Sequence, residues 1–366
     1  MAERGAVPAV APVRRRALRL IGSFTSPLAP DDYLELVNPL WSTRELRGRV
    51  EGVRRESATA VTVTIKPGWE WPGHLPGQYL RLGIEVDGVH HWRAYSLTSD
   101  PQRHDGRIAI TPKLLPGGKV SPYLFRRVRP GAIVRLGGVE GTFVLPSPLP
   151  ARLLFVSAGS GVTPIMSMLR SLARDRALQD VVHVHCARDA GDVIFRRELH
   201  ELHERHAGYR LHERLSGAQG RLAGAQLDAL CPDWREREAF VCGPAGLLQT
   251  LGEHWRAEGD SARMHIERFQ PATGVGDGPR GRGGSIDLCA SGIRAHSDGE
   301  QPILVAGELA GATLPHGCRM GICHSCVGRL RCGQVRDLRT GRVHGQPGEL
   351  VQTCVNAPEG AVEIEL

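Results

Sequence analysis

Four cysteines near the C-terminus have the type and spacing to hold a metal cluster. Cys318, Cys323 and Cys326 follow a C-x4-C-x2-C pattern, and Cys354 sits apart in a Gln-Thr-Cys-Val segment. A [2Fe-2S] cluster needs four thiolates on two adjacent irons; one loop can supply three while a separate segment closes the cage. Gly317, Gly321 and Ser325 are small enough to let backbone N–H groups approach the negatively charged sulfurs. A structural zinc site would use two C-x2-4-C pairs. A disulfide framework would need an oxidising compartment. The spacing therefore favours the cluster, and Cys186, Cys231, Cys289 and Cys332 read as buried or incidental thiols.

From Ser285 to Leu366 the chain resembles a plant-type ferredoxin domain. A cluster of this kind needs a source of electrons, and the upstream residues are arranged to supply one. Arg93-Ala94-Tyr95-Ser96 is followed by Gly117-Gly118-Lys119-Val120-Ser121, which opens a short helix. Together, in this order, they resemble the flavin-binding barrel of the ferredoxin–NADP reductase family. The resemblance implies FAD, with Arg93 offering a planar fork to its pyrophosphate. Tyr95 would lie against the isoalloxazine and Ser96 would hydrogen-bond near N5. Backbone N–H groups of Gly118, Val120 and Ser121 would cradle phosphate, and Lys113 would add charge.

Further on, Arg152 to Ser157 is a short apolar run leading into Gly159-Ser160-Gly161-Val162-Thr163-Pro164. Strand, glycine turn and helix follow one another, with Thr163 expected as the cap and Pro164 at the first helical position. The third glycine of the general dinucleotide fingerprint is missing. The loop does resemble the G-x-G-x-T-P turn of the same reductase family, which takes a nicotinamide nucleotide's pyrophosphate. Arg188 ends the next strand, where an arginine accommodates the 2′-phosphate of NADP; Arg196, Arg197 and Arg221 are candidate helpers. NADPH is thus the expected donor and NADH the alternative. Cys242-Gly243-Pro244 resembles the family's C-G-P motif beside the nicotinamide. Glu267 and Phe269 match an E-x-F ending seen in relatives with a fused ferredoxin. Ser96, Cys242 and Glu267 are the expected catalytic group. His200, His203 and His206 recur every three residues, but among charged neighbours they read as a solvated helix face.

The elements that must position these groups are visible as changes of period. Val61, Val63 and Ile65 alternate with threonines, and short strands separated by Gly and Pro clusters follow up to about residue 145, which argues an antiparallel barrel. Apolar runs alternating with helical patterns then argue an α/β Rossmann-like nucleotide domain. The expected order is an N-terminal extension over 1–47, an FAD-binding β-barrel over 48–148 and an NAD(P)-binding α/β domain over 149–270. A linker over 271–284 and a β-grasp [2Fe-2S] ferredoxin domain over 285–366 complete the chain.

The 366 residues are 41% hydrophobic and 23% charged, with 45 glycines and a net charge of +7. That charge is uneven: from Ser285 onward there are 7 Arg against 9 Asp and Glu, leaving 39 basic against 30 acidic residues upstream. A basic body suits an anionic nucleotide. With no nucleic-acid motif or aromatic platform, nucleic-acid binding is not expected. No apolar run is long enough to span a membrane. Arg14, Arg15 and Arg16 precede no signal-peptide core, so a cytoplasmic monomer is expected, reaching the inner face of the membrane through its partner.

Asn38-Pro39-Leu40-Trp41 and His91 to Leu97 resemble, more narrowly, actinobacterial reductases that feed membrane fatty-acyl desaturases. The resemblance implies electron flow from NADPH through FAD and the cluster to a membrane di-iron desaturase or hydroxylase. The alternatives are an NADH-dependent reductase of a ring-hydroxylating dioxygenase, or a redox sensor or general electron carrier.

Overall fold

The computed structural model describes residues 35–42, 44–115, 117–269, 281–316, 321 and 324–366. Cys318 and Cys323, the basic N-terminal run and most of the linker lie outside the described residues. The chain forms two compact units, one of residues 1–90 with 95–267 and one of residues 91–94 with 268–366.

In the first unit, β-branched residues at alternate positions give β1 (Arg47–Arg55) and β2 (Val61–Pro67), which pair antiparallel. With β3 (Tyr79–Val86), β4 (Val89–Ser96, of which residues 91–94 count with the second unit), β5 (Ile108–Ile110) and β6 (Ile133–Glu140) they form a six-stranded sheet ordered β4-β3-β6-β1-β2-β5. A bridge between Leu97 and Ile110 links the end of β4 to the far edge, closing the sheet towards a barrel. Val50, Val63, Ile65, Leu80, Leu82 and Ile110 fill its interior. The short helix α1 (Val120–Arg126) covers one end with Val120 and Leu124.

A parallel sheet follows. Its strands are β7 (Leu153–Ala158), β8 (Val181–Ala187), β9 (Tyr209–Leu215), β10 (Glu238–Cys242) and β11 (Met264–Glu267), ordered β11-β10-β7-β8-β9. Helices α2 (Val162–Arg174), α3 (Arg196–Arg205), α4 (Ser216–Gln219), α5 (Gly224–Leu230) and α6 (Ala245–Glu258) connect them. β7 and β8 are buried along nearly their whole length, so they read as continuous apolar runs. The chain leaves β7 towards β9, then returns to β10 on the other side of β7. That reversal opens a crevice at the carboxyl ends of β7 and β10, where doubly wound sheets bind ligands.

Sheet and barrel are joined by specific bonds. Ser167 Oγ of α2 donates to the Ser99 carbonyl at 2.8 Å and Arg170 Nη1 to that of Thr98 at 2.5 Å. Thr59 Oγ1 donates to Asp192 Oδ1 at 2.7 Å. Helix α2, which starts at the glycine turn, therefore grips the segment just after Ser96.

The second unit holds β12 (Gly284–Leu288), β13 (Ile293–Ser297), α7 (Ile303–Leu309), β14 (Val327–Cys332), β15 (Val335–Asp337), β16 (Val343–His344), β17 (Leu350–Gln352), β18 (Asn356–Pro358) and β19 (Val362–Glu365). A mixed sheet ordered β13-β12-β19-β14-β17 packs Ile286, Leu288, Leu330 and Ile364 against Ile303 and Leu304 of α7. This is the expected β-grasp arrangement.

Candidate active site

The glycine turn is built for close approach. A Cβ added at Gly161 would overlap the carbonyl of Cys242, so the turn after β7 rests directly on the end of β10. Gly159 has φ +54°, a conformation that costs other residues. The helix starts at Val162, earlier than the sequence suggests, because a 3-10 turn over Gly159–Gly161 runs straight into it. Thr163 is therefore inside the first turn rather than capping it, and its Oγ1 donates to the Ser160 carbonyl at 2.8 Å. Pro164, third in the helix, has no N–H, and the Val162 N–H is turned onto the Gly159 and Ser160 carbonyls, so the N–H groups that can face a ligand at this helix start are those of the other first-turn residues. The first turn has no acidic side chain to compete for those groups. A pyrophosphate fits this helix start.

Lys113 lies close to the same turn: its Nζ would be 3.9 Å from a Cβ at Gly159 and is 3.7 Å from Asp192 Oδ2. Gly243 packs its Cα side against Ala158 and Leu247, and Pro244 precedes α6. Arg188 is exposed just beyond β8, and no ion-pair partner is described for its guanidinium. Arg196 is committed to Glu213 through Nε and Nη2, and Arg197 to Glu201 at 3.4 Å. The histidines of α3 diverge: His200 Nε2 meets Glu213 at 3.2 Å, while His203 Nδ1 meets the Tyr209 carbonyl at 2.9 Å.

Strand register assembles a row that the sequence does not display. Glu267, Cys242, Ser157, His185 and Glu213 are consecutive partners across β11, β10, β7, β8 and β9. Glu267 is part-exposed as a residue, but its Oε2 is enclosed with no hydrogen-bond partner among the described residues. Burial pushes its carboxyl up to about 8, so it is protonated at neutral pH and available as a donor. Burial, reinforced by Glu267, raises the Cys242 thiol well above its usual range. Cys242 is thus a neutral, polarisable wall and not a nucleophile.

At the centre of the row, Ser157 Oγ lies 2.8 Å from His183 Nε2 and 2.7 Å from His185 Nδ1; His183 Nδ1 lies 2.8 Å from the Tyr209 hydroxyl. One arrangement leaves no hydroxyl proton without an acceptor. Tyr209 donates to His183, His183 to Ser157, and Ser157 to His185. Both imidazoles are then neutral. Burial holds His185 at about 4 and His183 well below its usual 6.5. The unfolded chain binds these protons below about pH 6.5 and the folded one does not. The stability they confer is therefore intact above 6.5 and is lost as pH falls towards 4. For His185 the loss should reach about 3 kcal/mol. Urea titrations at pH 7, 6 and 5 should show this slope, and His185→Gln should flatten it.

On the barrel, Ser96 ends β4 and is buried, with its Oγ enclosed and without a partner among the described residues. Such a hydroxyl costs about 1–3 kcal/mol if it stays unsatisfied, and a flavin edge would satisfy it. Tyr95 packs its ring on the barrel core. Arg93 is half-buried and donates Nη1 to the Trp92 carbonyl at 2.8 Å. Ser121 Oγ accepts from the Leu115 N–H at 3.0 Å, and the Gly118 N–H donates to the Leu115 carbonyl at 3.1 Å. These bonds shape the loop at the start of α1. Phe269 is half-buried just beyond β11.

In the second unit Cys326 and Cys354 are both buried in the core. The Thr353 N–H and Oγ1 donate to the Cys326 carbonyl at 3.0 and 2.8 Å, tying the two cysteine segments together. The Gly321 N–H donates to Cys354 Sγ at 3.2 Å. A backbone donor aimed at a buried sulfur fits a thiolate that carries cluster charge.

Fold and site together define a pyridine-nucleotide-dependent oxidoreductase with a flavin domain and an iron–sulfur domain in one chain. Three family models match in turn: an oxidoreductase FAD-binding domain over 69–145, an oxidoreductase NAD-binding domain over 155–252 and a 2Fe-2S iron-sulfur cluster binding domain over 286–359. The chain belongs to the ferredoxin–NADP reductase-like flavoproteins with a C-terminal [2Fe-2S] ferredoxin domain. It is 49% identical over 354 residues to an NADPH oxidoreductase of Mycobacterium tuberculosis, covering 96% of this chain and 92% of the relative. It is 31% identical over 278 residues to the ferredoxin reductase component of a 3-ketosteroid-9-alpha-monooxygenase of Mycolicibacterium smegmatis, covering 72% and 77%. The fold matches phthalate dioxygenase reductase with a TM-score of 0.57 at 20% identity, over 87% of this chain and 97% of that one. FAD, a [2Fe-2S] cluster and a pyridine nucleotide are its cofactors and substrate.

Sequence reading missed the Tyr209–His183–Ser157–His185 chain. Its one signal was Val-His-Val-His, two histidines at period two inside an apolar strand.

Proposed function

We propose that this reductase oxidises NADPH and delivers the electrons singly, through FAD and the cluster, to a partner oxygenase or desaturase. Bound FAD supplies the step that accepts a hydride's two electrons and releases them one at a time. This chain's own residues orient and enclose. The Gly159–Gly161 turn and the start of α2 hold the pyrophosphate. Gly161 against Cys242 fixes the end of β10, and protonated Glu267 offers a donor beside Cys242. Ser96 presents its buried hydroxyl from the barrel. Arg93 and the Gly118–Ser121 loop take the flavin's phosphates, and Cys318, Cys323, Cys326 and Cys354 ligate the irons. The observation that carries this reading is the junction at Gly161 and Cys242, held on the barrel by α2.

NADPH preference rests on Arg188, exposed at the strand end where a 2′-phosphate is read, and is supported by the similarity to an NADPH oxidoreductase. Arg188→Ala should narrow the NADPH-over-NADH ratio of kcat/KM by roughly ten- to a hundredfold, the worth of a charged hydrogen bond. An unchanged ratio would remove Arg188 from the role.

For the acceptor, the segments Asn38 to Trp41 and His91 to Leu97 favour a membrane di-iron desaturase or hydroxylase. A second reading, the NADH-dependent reductase of a ring-hydroxylating dioxygenase, is favoured by relatives described as reductase components of a 3-ketosteroid and a glycine betaine monooxygenase. Reconstitution decides between them. NADPH-driven acyl desaturation in partner-containing membranes supports the first, and turnover only with a ring-hydroxylating dioxygenase supports the second.

A further inference from the structure

Gly321 lies in the cluster loop between Cys318 and Cys323 and is buried. It is held at both ends. Its N–H donates to Cys354 Sγ at 3.2 Å. Its carbonyl accepts from Gln352 Nε2 at 2.9 Å and from Arg339 Nη1 at 3.3 Å. Gly321 has φ +72°, and a Cβ there would overlap the Arg339 guanidinium and lie 2.9 Å from Val355. Glycine is therefore required both by conformation and by space.

The two clamping side chains are themselves fixed. Gln352 ends β17 and pairs with Val327, the residue after Cys326. Its Nε2 lies between two acceptors, the Gly321 carbonyl and His324 Nδ1 at 3.2 Å. That sets the orientation of the amide, because the reversed amide would place oxygen against oxygen. Arg339 is forked onto Asp337, Nε to Oδ1 at 3.1 Å and Nη2 to Oδ2 at 2.6 Å, which leaves Nη1 for Gly321. Gln352 is the more enclosed of the pair; Arg339 is exposed.

We propose that Gln352, with Arg339, is a positioning residue that holds the Gly321 amide on the Cys354 sulfur and thereby sets the cluster's reduction potential. The reduced cluster carries one more negative charge than the oxidised one, with no bond made or broken. An N–H aimed at a ligand sulfur stabilises the more negative state, so it raises the potential. Releasing the Gly321 carbonyl frees the loop, weakens that donation and lowers the potential. Electron delivery from the flavin then becomes less favourable.

The test is a dye-mediated redox titration of the full-length holoenzyme, with the cluster followed by EPR and the flavin by absorbance. Gln352→Leu should lower the one-electron reduction constant of the cluster about tenfold, which is 59 mV for one electron. Arg339→Gln should give a smaller drop and Arg339→Lys should recover part of it. The flavin's own potential should not move. Should Gln352→Leu lose iron, Gln352→Asn, which shortens the reach but keeps the amide, reads the same quantity. Full iron content with an unchanged cluster potential in Gln352→Leu and Arg339→Gln would overturn the proposal. The proposal takes Cys354 as a ligand. Wild-type protein without a [2Fe-2S] EPR signal would instead defeat that assignment, so the two failures are distinct.

Discussion

Cys354→Ser should abolish NADPH-driven cytochrome c reduction while leaving NADPH-driven ferricyanide reduction near the wild-type rate. Cytochrome c reports electrons that have passed the cluster, and ferricyanide takes them from the flavin. The cysteine is buried in the core of the second unit and accepts a hydrogen bond from Gly321, so its sulfur is placed for ligation rather than for surface chemistry. Serine oxygen is a harder ligand that suits an iron–sulfur cage poorly. The expected loss in cytochrome c reduction is at least a hundredfold, with iron content falling and the flavin spectrum unchanged. The flavin should survive because the apolar core of the barrel belongs to the first unit and not to the unit that holds Cys354. Retained iron and retained cytochrome c reduction would remove Cys354 from the ligand set. Loss of flavin together with iron would mean that the two units do not fold independently.

How much of this was legible in the sequence depended on how local each feature is. The [2Fe-2S] domain could be read because the chemistry of two irons dictates ligand type and spacing within one loop. The glycine turn could be read for the same reason, although its helix begins earlier than Thr163 and Pro164 suggested, because the 3-10 turn at Gly159 adds its own residues to the helix start. The strand-rich barrel followed from period two. The row from Glu267 through Cys242, Ser157 and His185 to Glu213 could not be read. Its members come from five strands, and only register places them side by side. In isolation His183 and His185 are two polar residues in an apolar run. The clamp on Gly321 was hidden similarly, since Gln352 and Arg339 are ordinary polar residues remote in sequence from the loop they hold. Lys113 was expected at the flavin. The fold sets it against Asp192 and the glycine turn, which a strand pattern alone has no means of indicating.

Gly161→Ala should cost hydride transfer from NADPH about a hundredfold in kcat/KM and leave FAD content intact. Gly161 has φ −62°, so its backbone conformation is open to any residue. What excludes alanine is space: the added methyl would overlap the Cys242 carbonyl and lie 2.9 Å from the Gly243 nitrogen. Both neighbours are backbone at the buried end of β10 and cannot swing aside as a side chain could. The turn and the strand end must separate, and that displaces the start of α2 relative to Cys242 and Glu267. A displacement of about 1 Å in reacting groups can cost on the order of a hundredfold in rate. Gly159→Ala is the control. There the φ of +54° penalises alanine by roughly 1–2 kcal/mol, but the nearest atom to the new methyl is the flexible Lys113 Nζ at 3.9 Å. Gly159→Ala should therefore lower stability more than it lowers the rate, and Gly161→Ala should do the reverse. Stopped-flow reduction of the flavin by NADPH, beside thermal melts of both variants, reads the two effects separately. If Gly161→Ala reduced its flavin at the wild-type rate, the junction between the glycine turn and the end of β10 would have no part in placing the nicotinamide.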